Sequence, residues 1–284
     1  MTTTTAAVTP ADFQFVSTLV RTRAAIVLEP GKEYLVASRL LPVARESGLG
    51  SIAELVTQLR VAPHGPLSTK VVDAMTTNET SWFRDSAPFQ MLTKDLLPQV
   101  VASRTGGDKQ LRIWSAASST GQEAYSVAML LADWLPANPG WTASIVGTDI
   151  NAEVVAKAQA GKYTQLEVNR GLPASMLVRH FTRAGTHWQV SEQLRRMVEF
   201  KTLNLAGAYP SMGAFDIVLC RNVLIYFDTT TRQKILASIA RTLRPTGFLV
   251  LGAAETTLNM DTAFERVQFD KAAAHRLRST GRKP

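Results

Sequence analysis

The residues best placed to do chemistry lie in the middle of the chain. Residues 115–121 read S-A-A-S-S-T-G between an apolar run and an amphipathic stretch. Small side chains at such a turn let backbone N–H groups approach a nucleotide-type ligand. The pattern is not G-x-G-x-x-G, however, and taken alone it fits an ordinary strand-to-helix turn as well. A second apolar run ends I-V-G-T-D and sets Asp149 where its carboxylate can accept both hydroxyls of a ribose. Glu123 falls in the first turn of the helix after the small-residue loop. A carboxylate there repels pyrophosphate but suits a cofactor with an ammonium group and no phosphate, such as S-adenosylmethionine. A simple partner for the helix dipole is the alternative reading of Glu123. The pair tilts the reading from a dehydrogenase to a methyltransferase.

Other side chains are weighed in the same way. Arg84 ends T-N-E-T-S-W-F-R and carries a permanent charge on a planar donor fork suited to a carboxylate; an ion pair with Asp85 or another acid is the plain alternative. Tyr226 can orient a carboxylate through its hydroxyl or pack as an aromatic ring. Cys220, the single cysteine, sits inside F-D-I-V-L-C and reads as a small buried hydrophobe rather than a nucleophile. One cysteine allows no internal disulfide, which fits a reducing compartment, the cytoplasm. His64, His180, His187 and His275 are scattered without thiol or carboxylate neighbours at ligand spacing, so no metal site is expected.

These residues need elements to hold them. From Pro10 to about Val101 the apolar spacing is helical and interrupted: Phe13, Val16, Leu19 and Val20, then Leu35, Leu40 and Val43 before Gly48, then Ile52, Leu55, Val56 and Leu59 after Ser51, a candidate N-cap. Pro42 should kink or end its helix, and Ser86 should cap the next one. Beyond R-T-G-G-D the texture changes. Strands are expected at L-R-I-W, Ala143–Thr148, F-D-I-V-L-C and G-F-L-V-L-G-A, alternating with helices at Gly121–Leu135, Asn151–Ala160 and Thr229–Leu243. That alternation predicts a parallel, doubly wound Rossmann-like sheet with its ligand at the carboxyl ends of the strands. Gly161–Phe200 breaks it with Y-T-Q-L, a short helix near Pro173–His180, H-W-Q-V and M-V-E-F, read as two or three inserted antiparallel strands. The expected division is a small all-helical N-terminal domain, residues 1–85, and an α/β domain, residues 86–284, with a small antiparallel β-subdomain inserted at about 163–200.

Composition bounds the function. The chain has 284 residues, 45% hydrophobic and 19% charged, enough apolar content to order a core, which excludes a disordered chain. No apolar run approaches the roughly 20 residues of a membrane span, and the Thr- and Ala-rich start resembles no signal sequence. A soluble protein with no membrane insertion is expected. The net charge of +8 raises the question of a nucleic-acid partner, but Lys271, Arg276, Arg278, Arg282 and Lys283 supply five of the eight, and residues 1–90 are balanced. The excess marks one C-terminal tail rather than a nucleic-acid face. Base-modifying enzymes also often carry D-P-P-Y or N-P-P-Y, which R-N-V-L-I-Y lacks. No nucleic-acid partner is therefore expected.

Five segments taken in order are more specific: M-T-T-N-E-T-S-W-F-R-D (75–85), W-S-A-A-S-S-T-G-Q-E-A-Y-S (114–126), G-T-D-I (147–150), L-N-L (203–205) and F-D-I-V-L-C-R-N-V-L-I-Y-F (215–227). Together they resemble the bacterial CheR family of chemotaxis receptor methyltransferases across nearly the whole chain. The resemblance implies transfer of a methyl group from S-adenosylmethionine to glutamate side chains of chemoreceptors, leaving S-adenosylhomocysteine, without a metal. It implies Asn78, Thr80 and Arg84 beside the cofactor, Glu123 facing its ammonium, Asp149 its ribose, Asn204 and Leu205 its adenine, and Arg221 with Asn222 beneath it. Arg84 and Tyr226 would orient the acceptor carboxylate. The family's helical domain docks on the cytoplasmic helical bundle of receptors through basic residues, for which Lys32, Arg39 and Arg45 are candidates; a solvated helix face is the alternative. Some members capture a receptor C-terminal pentapeptide on a longer loop of the β-subdomain. The short R-A-G-T-H-W here implies action without that pentapeptide. Ala124 departs from the proline many members carry after the acidic residue.

Overall fold

Side-chain caps and prolines set the helices of the N-terminal part. Thr9 Oγ1 accepts the Asp12 N–H at 3.1 Å and Pro10 opens α1 (Pro10–Ala24), where its missing N–H costs nothing. α2 (Glu33–Glu46) continues through Pro42, so of the two expectations for that proline, a kink or an end, the end does not occur. Ser51 caps α3 (Ile52–Val61) as expected, accepting from Glu54 N, while the Glu54 carboxylate accepts from Gly50 N at 3.0 Å. Pro66 opens α4 (Pro66–Met75). Val16, Val20, Val36, Leu40, Leu55, Leu59 and Val71, drawn from all four helices, are fully buried and form one core.

The computed structural model describes residues 8–104, 107–258, 260 and 263–278. The chain divides into two units: Met1–Thr77 with Tyr226–Thr231, and Asn78–Ile225 with Arg232–Pro284. A short distant segment thus joins the helical unit. Ile26 bridges Phe227, the Val27 N–H donates to the Tyr226 carbonyl at 2.9 Å, and Arg21 pairs with Asp228 at 2.9 Å. Residues 78–85, read from the sequence as the end of the helical domain, lie with the second unit.

In that unit α5 (Ala87–Met91) passes through a π-helical turn at Leu92–Leu96 into α6 (Leu97–Ala102), just before Pro98, which has no N–H to give. Ser86 precedes α5 but makes no side-chain cap bond. The strands are β1 (Gln110–Ala116), β2 (Thr142–Asp149), β3 (Lys162–Thr164), β4 (Phe181–Ala184), β5 (His187–Val190), β6 (Val198–Thr202), β7 (Phe215–Cys220), β8 (Leu243–Leu251), β9 (Phe264–Gln268) and β10 (Ala273–Leu277). Between them run α7 (Gln122–Trp134), α8 (Ala152–Ala160), α9 (Gln165–Val168), α10 (Ala174–His180), α11 (Glu192–Met197) and α12 (Thr229–Thr242).

The main sheet has the order β6-β2-β1-β7-β8-β10-β9, parallel from β6 to β8. β10 and β9 are antiparallel, so the sheet is mixed rather than wholly parallel. β7 is buried at all six positions, as a strand covered on both faces must be. The insertion is a three-stranded antiparallel sheet, β3-β5-β4. M-V-E-F does not belong to it: Val198 and Phe200 are buried and β6 pairs in parallel with β2, from Ile145↔Val198 to Asp149↔Thr202.

Candidate active site

The carboxyl ends of β1, β2 and β7 lie side by side, and the loops after β1 and β7 together with residues 83–86 hold most of the left-handed non-glycine backbone among the described residues. Of seven non-glycine residues with left-handed φ among those described, six fall here: Ala117 and Ser119 after β1, Asn222 after β7, and Phe83, Asp85 and Ser86 in the T-N-E-T-S-W-F-R-D segment. Each such residue costs on the order of 1–2 kcal/mol, and strain of this kind persists where a site over-determines the backbone. Gly121 completes the first loop at φ 95°; a Cβ there would meet Ala158, Phe200 and Tyr163 at 2.9–3.1 Å. Two tyrosines brace this corner: Tyr163 donates to the Thr120 carbonyl at 2.7 Å and Tyr125 to the Ala158 carbonyl at 2.9 Å.

Asp149 ends β2 and is 7% exposed. Its Oδ2 accepts the Ser119 N–H at 2.9 Å and its Oδ1 the Asn151 N–H at 3.1 Å, so the carboxylate locks the first loop to the second strand. Burial pushes its carboxyl above the usual carboxylate range, against the backbone bonds that pull it down. The Leu203 N–H donates to the Asp149 carbonyl at 2.8 Å, which brings L-N-L beside Asp149; Asn204 Oδ1 accepts the Ala206 N–H and Leu205 is buried.

Glu123 and Arg221 form the other half. Glu123 Oε1 accepts from Ser115 Oγ at 2.8 Å and its Oε2 from Arg221 Nη1 at 3.0 Å. Arg221 Nη2 donates to Asp85 Oδ2 at 2.7 Å and to the Arg84 carbonyl at 2.8 Å. The Arg221 side chain is 1% exposed, so this guanidinium is a buried charge held between two carboxylates, with its carbon 5.6 Å from the centre of the Phe89 ring. The plain reading of Arg84, a pair with Asp85, is not what forms. Asp85 faces Arg221, while Arg84 Nη1 reaches only the Glu79 carbonyl at 3.3 Å.

The segment carrying Asn78, Thr80 and Arg84 is anchored from two sides. The Asn78 carbonyl accepts from Ser119 Oγ at 2.8 Å and the Phe83 N–H donates to Ser126 Oγ on α7 at 3.1 Å. Trp82, 1% exposed, donates its indole N–H to the Glu167 carbonyl and its backbone N–H to the Arg170 carbonyl, both at 3.0 Å. Its ring meets Tyr163 and Phe181 edge-on at 4.9 and 5.3 Å. Nine of the ten expected side chains thus sit on the segments that converge at this end of the sheet. Tyr226 falls in the helical unit.

One residue here was not singled out from the sequence. The Glu255 carboxylate, just beyond β8, accepts four backbone N–H groups: Gly252 and Asn222 at 2.8 Å on Oε2, Val223 at 2.9 Å and Leu224 at 2.7 Å on Oε1. It fixes the turn after C-R-N, including Asn222 at φ 57°. An acid four residues past a core strand was the only signal available. Cys220, fully buried, has its thiol pushed well above the usual range by burial, with Glu255 and Glu123 adding to the effect, which bears out its reading as a buried hydrophobe.

Two family models match the chain. One, described as the CheR methyltransferase SAM binding domain, covers residues 78–273; the other, the CheR methyltransferase all-alpha domain, covers residues 11–76. Chemotaxis protein methyltransferase 1 of Pseudomonas aeruginosa is 41% identical over 272 residues, spanning 94% of this chain and 98% of its own. The chemotaxis protein methyltransferase of Escherichia coli is 37% identical over 264 residues, 91% of this chain and 88% of its own.

Proposed function

The chain belongs to the CheR methyltransferase family, and from that premise we propose that it methylates specific glutamate side chains of bacterial chemoreceptors in chemotaxis adaptation. It is an S-adenosylmethionine-dependent methyltransferase acting in chemotaxis. The proposal adds the acceptor, a glutamate on the receptor's cytoplasmic helical bundle, the products, a glutamate methyl ester and S-adenosylhomocysteine, and the compartment, the cytoplasm.

The observation that carries it is the buried Arg221 guanidinium, held between the largely buried Glu123 and the exposed Asp85, beside the Asp149-braced loop. The donor set suits this cofactor: a carboxylate in the first turn of α7 and another at the end of β2, and no lysine or arginine between Ser115 and Glu123 to attract a phosphate. S-adenosylmethionine, when bound, supplies a methyl carbon on a cationic sulfur. Glu123 would meet its ammonium, Asp149 its ribose, and Asn204 with Leu205 its adenine. Arg221 holds Glu123 in place, Asn222 lines the floor, and Asn78, Thr80 and Arg84 close the near side.

No strong acid or base is needed. An acceptor glutamate, with a pKa of about 4.3, is already ionised at neutral pH, so Arg84 and Tyr226 have only to orient its oxygen in line with the bond that breaks. Gly185 and Thr186 alone join Ala184 to His187, the last pair of β4 and β5. That tight turn supports action without a receptor pentapeptide. Transfer of labelled methyl to receptor-bearing membranes, with the label released by base as an ester requires, tests the reading; label stable to base would refute it.

A further inference from the structure

A cleft of about 330 Å³ lies against the face that β8, β10 and β9 present near their ends, with Asp85, Ala87 and Pro88 along its other side. Its charges are unevenly matched. The two acids that line it are already occupied within the fold, Asp85 by Arg221 and Glu255 by four backbone N–H groups. Its two cations, Arg266 and Lys271, have no acidic partner among the described residues. His275 also lines it. The ring is 3% exposed and neither nitrogen makes a hydrogen bond of normal geometry. Register sets His275 opposite Arg266 on one face of the sheet. Burial, opposed by the Leu249 backbone and reinforced by the Arg266 charge, holds the imidazole below its usual range.

The cleft also abuts the candidate active site. Asp85 is bonded to Arg221, and Gly252 lies so close to Asn222 that a Cβ would come within 2.9 Å of its backbone N and Nδ2. A cleft whose two acids already have hydrogen-bond partners within the fold, and whose two cations have no acidic partner among the described residues, offers its unmatched donors to carboxylates.

We infer that this cleft binds the acceptor: it receives carboxylate side chains of the acidic receptor segment that carries the methylated glutamate, with Arg266 and Lys271 as its anion contacts and His275 at its floor. The inference rests on the acceptor class proposed above and adds where that acceptor docks. It assigns the β9–β10 hairpin, which lies outside every motif read from the sequence, a role in choosing acidic substrate.

The test is steady-state methyl transfer to membranes bearing a chemoreceptor from the same organism, at varied receptor concentration, with S-adenosylhomocysteine affinity measured separately by calorimetry. The double variant Arg266→Gln/Lys271→Gln should raise the receptor KM about tenfold, as expected for losing two partly exposed charge contacts, with kcat and cofactor affinity within about twofold of wild type. Lys271→Arg in place of Lys271→Gln should recover about threefold of that tenfold loss, since one of the two charges returns. Arg276→Gln, an exposed charge on the same hairpin that pairs with Glu265, should change nothing. An active wild type with an unchanged receptor KM in the double variant overturns the cleft assignment alone. A double variant that loses cofactor affinity in step with KM also overturns it, because the cleft then belongs to the donor. A wild type that transfers no methyl to any receptor overturns the acceptor reading and this one together.

Discussion

Arg84 carries the sharpest prediction at the scale of single residues. Its guanidinium makes one long bond, to a carbonyl at 3.3 Å, which leaves most of its donors for a ligand. Arg84→Ala should therefore cut methyl transfer about 100-fold or more while leaving the unfolding midpoint unchanged, as measured by initial rates and thermal melting. Tyr226→Phe should lower kcat about three- to tenfold and leave cofactor affinity alone; an unchanged kcat would reduce Tyr226 to packing. Asp149 makes a prediction about pH. Its folded carboxyl binds a proton more tightly than an unfolded aspartate, so its contribution to stability falls as pH rises from the ordinary aspartate range through the raised folded value. Calorimetric cofactor affinity should show the complementary trend, weakening on acidification at a higher pH than an ordinary aspartate would produce.

The elements explain how these side chains are held, and how far a sequence can show it. The helical spacing of Val16, Val20, Leu55 and Leu59 and the strand–helix alternation from β1 to α8 were legible because burial itself imposes those periods. Asp149 and Glu123 were legible because they stand at fixed offsets from a strand end and a helix start. The β9–β10 hairpin was not, since β9 is mostly exposed or half-buried after Phe264 and β10 buries the adjacent Ala274 and His275, which breaks a two-residue period. The placement of β6 was misread because five residues of alternating burial fit either sheet, and only pairing with β2 decides. Glu255 escaped because its four partners are backbone groups, which any sequence supplies. Gly171 tests the clamp on T-N-E-T-S-W-F-R: at φ 95°, an added Cβ would lie 2.4 Å from the Trp82 carbonyl oxygen. Gly171→Ala should destabilise the fold by about 2–4 kcal/mol in urea titration and weaken cofactor binding with it.

At the scale of the whole chain, the charge excess has become local. Arg39, a candidate for receptor docking, directs its guanidinium to the Met75 and Thr76 carbonyls at 2.8 and 2.9 Å and to Thr77 Oγ1 at 3.0 Å, which makes it a cap for the end of α4. Lys32 and Arg45 stay exposed; of the five basic residues read as a tail, Arg276 lies in β10 with Lys271 and Arg278 flanking it, so these three belong to the β9–β10 hairpin, while Arg282 and Lys283 lie outside the described residues. Ligand linkage gives a prediction for the intact protein: S-adenosylhomocysteine at 100 times its Kd should add about 2.7 kcal/mol and raise the melting temperature by roughly 5–10 °C, whereas a dinucleotide should add nothing. If this site esterifies receptor glutamates, the methylated product is labile to base. After transfer from methyl-labelled S-adenosylmethionine to receptor-bearing membranes, mild alkali should release the label as volatile methanol, and Arg84→Ala should yield almost none. Label that withstands alkali, as an amide or amine would, or that the Arg84 variant transfers at the wild-type rate, rules out ester formation at this site.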